Sequence, residues 1–220
     1  MLAFFVPHVD VRVMDKLKTI ADIRLLGGNP SLDFINTVDA WRDRWGPDFL
    51  VTFDDLMVWG LRVGLIDSRQ ADCIRKLAQA DPTGANQALE RAKALRNALR
   101  LLFLADGGEQ VPSKFAADEL NGVIRSAAAH RAITYQSDTI FSWHWLDADL
   151  DSIVYRVAIA ASELLTGRGN RRPVRECHGP NCGWLFLDSS RGGRRRWCSE
   201  ETCGTHTRVL RFRGKQRGSR

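Results

Sequence analysis

Four cysteines near the C-terminal end constrain the fold of this chain more than any other feature. Cys177, Cys182, Cys198 and Cys203 form two C-x4-C pairs separated by fifteen residues. Each pair bends the backbone so that two sulfurs converge, and the short segment between the pairs brings all four together. Four thiolates suit a tetrahedral zinc site, with iron or an iron–sulfur cluster as a less favoured alternative. Two disulfides of a secreted module are disfavoured, because the sequence shows no secretory signal.

The residues around these cysteines predict a small zinc finger made of a knuckle, a hairpin and a helix. We expect residues 184–187 and 194–197 to form its two strands, with glycines in the turn between them. Ser199 is expected to cap the helix, followed by two glutamates that favour its positive end. Apolar residues are too few here to offset the entropy of ordering the chain, about 1–2 kcal/mol per residue. We therefore expect one structural zinc ion to stabilise a finger over residues 171–213.

The preceding residues predict a mainly α-helical domain over 23–167. Apolar residues recur at every third or fourth position in several segments, most regularly in 85–105. Alternating residues at 133–136 and 139–145 predict one β-hairpin among these helices. The fold class is therefore a mainly α protein: a helical N-terminal domain with one β-hairpin, followed by the small four-cysteine finger.

Some polar residues of this domain have a structural and a functional interpretation. Asp33 and Asn36 could line an effector pocket, although local capping and hydrogen bonding is the more frequent role of such residues. Arg91, Lys93, Arg96 and Arg100 lie among the apolar residues of the most regular helix, where we expect a solvated basic face. Cys73, far from the other cysteines, is expected to be a buried structural thiol.

Charge is distributed unevenly along the chain. The net charge of +6 combines +10 in residues 168–220, where fourteen Lys and Arg face four Asp and Glu, with −4 in residues 1–167. A basic end on a mildly acidic body indicates a polyanion partner for that end. We expect residues 1–22 to be an N-terminal extension and residues 214–220 a basic tail. No apolar run approaches the roughly 20 residues that span a bilayer, so we expect a cytoplasmic protein without a membrane partner.

DNA is the partner that we expect for the basic end. Basic side chains along a helix can lie in a groove, where arginine reads guanine and other residues hold phosphates. One finger is small, so tight binding is expected to need a homodimer. The candidate nucleic-acid-binding residues are Arg194, Arg195, Arg196, Arg208, Arg211, Arg213, Lys215 and Arg217. A solvated tail without a specific ligand is the alternative, and it is favoured for residues 214–220.

Other classes of function are weighed against this one. RNA binding would use Trp184 and Trp197 to stack on bases, unless both rings belong to the finger core. An enzyme is disfavoured, because the sequence has no nucleophile–base spacing, phosphate loop or H-E-x-x-H, and four thiolates leave zinc no open position. A small-molecule effector of the helical domain is more credible, by analogy with other regulators.

Two parts of the sequence resemble known families. Residues 177–188 (CHGPNCGWLFLD) and 194–199 (RRRWCS) are similar to the CGNR zinc finger. Residues 27–28 (GG) and 32–37 (LDFINT) resemble the ABATE domain, which precedes that finger. The resemblance implies a stress-induced bacterial transcription regulator, in which a helical sensory or scaffolding domain is followed by a DNA-binding finger.

One departure concerns the motif that gives the finger its name. Where the family has Cys-Gly-Asn-Arg, this chain has Cys203, Gly204, Thr205 and His206. The ligand and the glycine are kept, whereas any role of the Asn and Arg in folding or DNA contact is changed here. Arg208 is a candidate to replace the missing charge. A histidine ligand is not expected, because four thiolates complete the shell.

Overall fold

The structure, a computed structural model, describes residues 19–42, 45–137 and 140–217, with side chains for all of these except 136–137 and 215–217. Helices dominate the described residues, as predicted. The α-helices are α1 (Pro30–Ile35), α2 (Phe53–Arg62), α3 (Ser68–Ala80), α4 (Pro82–Asp106), α5 (Lys114–Ala129), α6 (Ser152–Thr166) and α7 (Thr205–Arg217). The extension predicted over 1–22 lies largely outside the described residues.

The strands form two small antiparallel sheets. The first is the predicted hairpin among the helices, in which β1 (Arg131–Ser137) pairs with β2 (Ile140–Trp145). The second joins β3 (Val174–Glu176) to β4 (Leu185–Leu187) across the first cysteine pair. A 3-10 turn follows α6, and a π-helical turn at Glu200–Gly204 leads into α7.

Side-chain caps define where several helices begin. The Thr52 hydroxyl accepts a hydrogen bond from the Asp55 amide at 3.2 Å, and the Asp55 carboxylate accepts one from the Thr52 amide at 2.6 Å. This reciprocal pair satisfies amides that the first turn of α2 leaves unpaired. Ser113 caps α5 by a single hydrogen bond from the Ala116 amide, and Ser199 caps the turn before α7 as predicted.

Helix α4 is the centre of the body, and its environment contradicts the expected solvated basic face at Arg96 and Arg100, whereas Arg91 is exposed as expected. Arg96 is only 1% exposed and donates two hydrogen bonds to the Asp48 carboxylate, at 2.7 and 2.5 Å. The same guanidinium donates to the Thr37 hydroxyl at 2.8 Å. Arg100 is also largely buried. Helices α1, α2, α3, α5 and α6 pack around α4, so arginines between its apolar residues are enclosed and need acidic partners.

Helix α3 corrects a second expectation. Ala71 and Ile74 are buried against the body, whereas Cys73 is exposed. Position 73 lies on the outer side of the helix, because residues two apart are separated by about 200° around an α-helix. The prediction of a buried structural thiol is therefore wrong.

The topology of the finger differs from the predicted one. Residues 185–187 do form a strand, but their partner is β3, which precedes the first cysteine. Residues 194–197 are not a strand. The Asp188 carboxylate accepts hydrogen bonds from the Ser190 and Arg195 amides, which folds this segment into a compact loop. The second edge of β4 is also occupied, since it faces the helical body.

One continuous hydrophobic core joins the helices to the finger. Buried residues of α1, α4 and α6 belong to the same cluster as Trp184, Leu185, Phe186 and two of the cysteines. The finger therefore packs directly on the body. No helix in the described part of the chain is both long and apolar enough to cross a membrane.

Candidate metal centre and its basic surroundings

The four predicted cysteines meet at one point. The Sγ atoms of Cys177, Cys182, Cys198 and Cys203 all lie within 4.8 Å of one another. Cys198 Sγ is 3.8 Å from Cys182 Sγ and 3.7 Å from Cys203 Sγ. A tetrahedral ion with zinc–sulfur bonds of about 2.3 Å requires sulfurs about 3.8 Å apart. The thiols therefore fit one structural zinc ion, which fills its shell with four soft ligands.

The backbone around the first cysteine pair has a tightly constrained conformation. Asn181 and Gly183 have positive φ, which turns the chain back after the knuckle. The Gly179 and Cys198 amides point at Cys177 Sγ, at 3.4 and 3.2 Å. Hydrogen bonds from the neighbouring thiols and from the Cys198 amide lower the pKa of Cys177, whereas contacts among the same thiols raise the pKa of Cys182 and Cys198. A bound cation is what would hold all four as thiolates.

The four cysteine ligands and the nearby histidines differ in their solvent exposure. Cys177 and Cys198 are buried, and Cys182 and Cys203 are half-buried. His178 and His206 are exposed, and neither belongs to the ligand cluster found in the described residues. The closed four-thiolate set leaves no open coordination position, so its contribution is to hold the finger together.

The residues that resembled the ABATE motif clamp the finger to the body. Asn36 is buried, its amide nitrogen donates to the Leu185 carbonyl, and its oxygen accepts from the Leu185 amide, both at 2.9 Å. The Leu187 amide donates to the Gly27 carbonyl at 2.9 Å. These bonds occupy the edge of β4 that does not pair with β3. The residues that resemble the ABATE motif therefore bind a strand of the finger.

Asp33 stabilises the same contact between the body and the finger, which we call the joint. Its carboxylate accepts a hydrogen bond from the Gly27 amide at 2.7 Å. Burial raises the pKa of Asp33 to about 6, although bonds from the Gly27 and Leu26 amides lower it. Asp33 and Asn36 thus have structural partners, and these contacts do not support the suggestion that they line an effector pocket, which stays a prediction.

Arg100 joins the two parts by a charged network that the sequence did not reveal. It donates to the Gly183 carbonyl and to the Glu176 carboxylate, both at 2.7 Å. Arg42 donates to the other Glu176 oxygen at 2.9 Å, and Trp41 lies under the Arg100 guanidinium at 4.7 Å. The position of Arg100 between apolar residues of α4 was the one sequence signal that could have suggested such a role.

The three consecutive arginines before the second cysteine pair divide into two kinds. Arg195 is half-buried, stacks on Phe186 at 4.5 Å and donates to the carbonyls of Trp197 and Cys198. Arg194 and Arg196 are exposed on either side of it. Arg195 therefore holds the finger together, whereas its two neighbours face solvent and are free to contact a polyanion.

Helix α7 carries the remaining candidates away from the body. Arg211 and Arg213 are exposed, and the described side chains hold neither in an ion pair. Arg208 is paired with Glu200 and lies 5.9 Å from the centre of the Trp197 ring. Lys215 and Arg217 lie on the same helix, but their side chains are outside the described part.

The two tryptophans of the finger lie in different environments. Trp184 is buried, and its indole nitrogen donates to the Val38 carbonyl at 2.8 Å. It belongs to the joint and cannot stack on a base without opening it. Trp197 is half-buried beside Arg196 and Arg208.

An open cavity of about 610 Å³ lies where the finger meets the front of the body. This volume is within the usual range for small-ligand sites. Its lining includes Ile23, Leu26, Asp39, Phe49, Trp184 and His206. Three of the four zinc-binding cysteines border the same space. A molecule bound there would touch both the body and the finger.

Comparison with known families agrees with this arrangement. The CGNR zinc finger matches residues 173–216, which contain all four cysteines. The ABATE family, described as "Putative stress-induced transcription regulator", matches residues 28–168, well over half of the chain. A search of the curated proteins finds no match. The chain therefore belongs to the ABATE family and carries a CGNR zinc finger after the ABATE domain.

Proposed function

We propose that this protein is a bacterial, cytoplasmic transcription regulator that binds DNA through its zinc finger and α7. In this proposal residues 23–167 are the regulatory body, 171–213 the finger and 214–220 a basic tail. The observation that carries the proposal is a set of exposed arginines on a unit fixed by metal. These are Arg194 and Arg196 in the loop and Arg211 and Arg213 on α7.

The charge and shape of this surface favour duplex DNA. Helix α7 has 13 residues, a length of about 20 Å, which can follow a major groove. Its guanidinium groups can pair with phosphates or with guanine edges. The zinc ion has no catalytic part in this proposal, because its four thiolates leave no site for a substrate. Trp184 is buried in the joint, which disfavours single-stranded RNA that binds by stacking.

The experiment measures binding of fluorescent genomic DNA fragments by anisotropy across a range of salt concentrations. Arg194→Ala/Arg196→Ala is compared with Arg69→Ala/Arg125→Ala, which removes two exposed arginines from the body. We expect the first variant to lower the log–log salt slope by about 0.9 for each phosphate that an arginine no longer neutralises, and the control to leave it unchanged. Equal effects of the two variants, or no binding at low salt, would reject the proposal. Preferential competition by single-stranded RNA would favour the alternative of an RNA-binding protein.

The cavity at the joint supports a second element, the sensing of a small molecule. We propose that an effector with an apolar part occupies this cavity, with a donor group directed at Asp39. Because the cavity borders three zinc ligands, occupancy would change the position of the finger on the body. A thermal-shift screen of metabolite classes tests this, with Asp39→Ala against Asp118→Ala as the exposed control. Hits that survive Asp39→Ala unchanged would contradict the assignment.

A further inference from the structure

The β1–β2 hairpin presents an apolar face to solvent. Ile133 pairs with Trp143 and Tyr135 with Phe141 on the same side of the hairpin. Their exposed fractions are 60%, 56%, 77% and 64%, in that order. The rings of Tyr135 and Phe141 are in contact, with centroids 5.0 Å apart. Four large side chains thus form a contiguous patch, which we call the hairpin face.

This orientation is the reverse of an ordinary surface hairpin. The opposite side carries small or polar residues, of which Ala132, Thr134 and Ser142 are half-buried and His144 is exposed. An antiparallel sheet normally turns its apolar side inward and its polar side to water. A two-stranded hairpin is also marginally stable by itself in water and needs a further layer on its apolar side. In the described residues the main neighbour of each strand is the other strand, so no other described element supplies that layer.

The exposed area of the hairpin face is that of an interface. A buried aromatic side chain covers about 150–250 Å², so the three rings and Ile133 at these exposures present about 500 Å². The largest apolar patch of a typical monomer is about 300–600 Å² and is often functional. Two such faces would bury about 1,000 Å² in total, which is the area that a specific interface should at least reach.

We propose that the hairpin face is the homodimer interface, in which the faces of two copies pack against each other across a two-fold axis. This rests on the DNA-binding regulator proposed above and deepens it, by naming the interface of the homodimer that the sequence led us to expect. The composition of the face favours an identical partner. Neither β1 nor β2 contains an acidic residue, and the one arginine of the two strands, Arg131, stacks on the Trp143 ring at 4.1 Å. A face that is apolar apart from this stacked arginine can pack against a second copy of itself, and an isologous contact needs only one such patch.

The dimer would place one finger on each side of the two-fold axis. Two fingers contact DNA together, so each covers a half-site of an inverted repeat. In the part of the chain that the structure describes, helix α7 has no extensive contact with the hairpin, so an interface through the hairpin face need not cover the α7 arginines.

Sedimentation equilibrium of the full zinc-loaded chain, without DNA, tests the interface. We expect the wild-type protein to be a dimer at micromolar concentration. Tyr135→Ser/Phe141→Ser should weaken dimerisation at least about 100-fold, since exposed aromatic anchors of an interface are its hot spots. The control Val111→Ser/Phe115→Ser removes two side chains that are at least as exposed, 87% and 77%, from outside the hairpin, and should dimerise as the wild type does.

A wild-type protein that stays monomeric at about 100 µM, or equal dimerisation by the hairpin variant, would overturn the proposal. Zinc content and circular dichroism check that each variant is folded, and the single change Tyr135→Ser replaces the double one where folding fails. The result is independent of DNA binding. A dimer that binds no DNA contradicts only the function proposed above, and a monomer that binds DNA contradicts only the interface.

Discussion

The backbone at Gly179 leaves no space for a side chain. A Cβ atom built there would lie 2.7 Å from both Cβ and Sγ of Cys203 and 3.3 Å from Cys177 Sγ. Because both neighbours are zinc ligands, Gly179→Ala must displace one of them. We expect zinc affinity to fall about 10–100-fold, as for other changes beside a metal shell, measured by competition with a chromophoric chelator. Gly192→Ala is the control, since its nearest neighbour is a flexible side chain at 4.0 Å. Equal affinities for the two variants would show that the knuckle adjusts freely.

Asp33 predicts a pH dependence of stability whose sign can be worked out. Burial raises its folded pKa to about 6 from the ordinary 3.8, so the folded state holds a proton that the unfolded chain has released. Stability therefore falls as pH rises from about 4 to about 6, and the loss is complete above the folded pKa. A shift of this size corresponds to about 3 kcal/mol.

Replacing Asp33 by asparagine keeps an acceptor for the Gly27 amide and removes the titration. We expect the free energy of unfolding of Asp33→Asn, relative to wild type, to rise by about 2 kcal/mol between pH 4 and pH 6, which is most of the total of about 3 kcal/mol. Urea unfolding at matched pH values measures this difference, in which the acid sensitivity of the zinc site cancels. Asp118→Asn, on the exposed side of α5, should follow the wild type. A constant difference across this range would contradict the role given to burial.

The sequence was informative about single residues where the chemistry is local. Cysteine spacing predicted the zinc ligands, because both pairs must close short loops around one ion. It failed for Cys73 and Arg96, whose environments depend on which side of a helix is covered by distant parts of the chain. The partner of Arg96 is Asp48, in a loop 48 residues earlier. A pattern of apolar residues cannot reveal such a partner.

Strand β4 shows that the sequence can predict where a strand forms but not which strand it pairs with. Its apolar residues predicted a strand, and Ser199 predicted the start of the following turn. The partner of β4 was assigned wrongly, because a returning segment after two glycines is a common hairpin and pairing depends on which edges are free. Here one edge is taken by β3 and the other by the clamp from Asn36 and Gly27.

The clamp on β4 can be tested directly. Asn36→Ala leaves the buried amide and carbonyl of Leu185 without partners, and each such group costs about 1–3 kcal/mol. We expect a loss of about 2–5 kcal/mol in the free energy of unfolding, measured in urea. Asn97→Ala, at an exposed position of α4, should change stability by less than about 0.5 kcal/mol. Similar losses for the two variants would show that the clamp adds nothing to the joint.

The continuity of the core changes how the finger and the body depend on each other. Sequence composition suggested a basic metal unit attached to an acidic helical domain, and it could not show that Trp184, Leu185 and Phe186 belong to the core of that domain. Buried side chains of the finger are neighbours of α1 and α4, and Arg100 bonds to the knuckle backbone. Folding of the finger therefore completes the hydrophobic core of the body. The zinc ion thus stabilises the helical body as well as the finger.

Removing zinc should therefore destabilise the helices as well as the finger. We expect a strong chelator to shift the single helical unfolding transition, followed by circular dichroism, down by more than about 10 °C. The reason is that the body loses the packing of Trp184, Leu185 and Phe186 when the thiolates are released. Cys198→Ser should show the lower transition without chelator, whereas Cys73→Ser, which keeps all four ligands, should respond as the wild type does. A helical transition that stays in place while zinc is released would mean that the body is stable alone, and that its core does not need the finger.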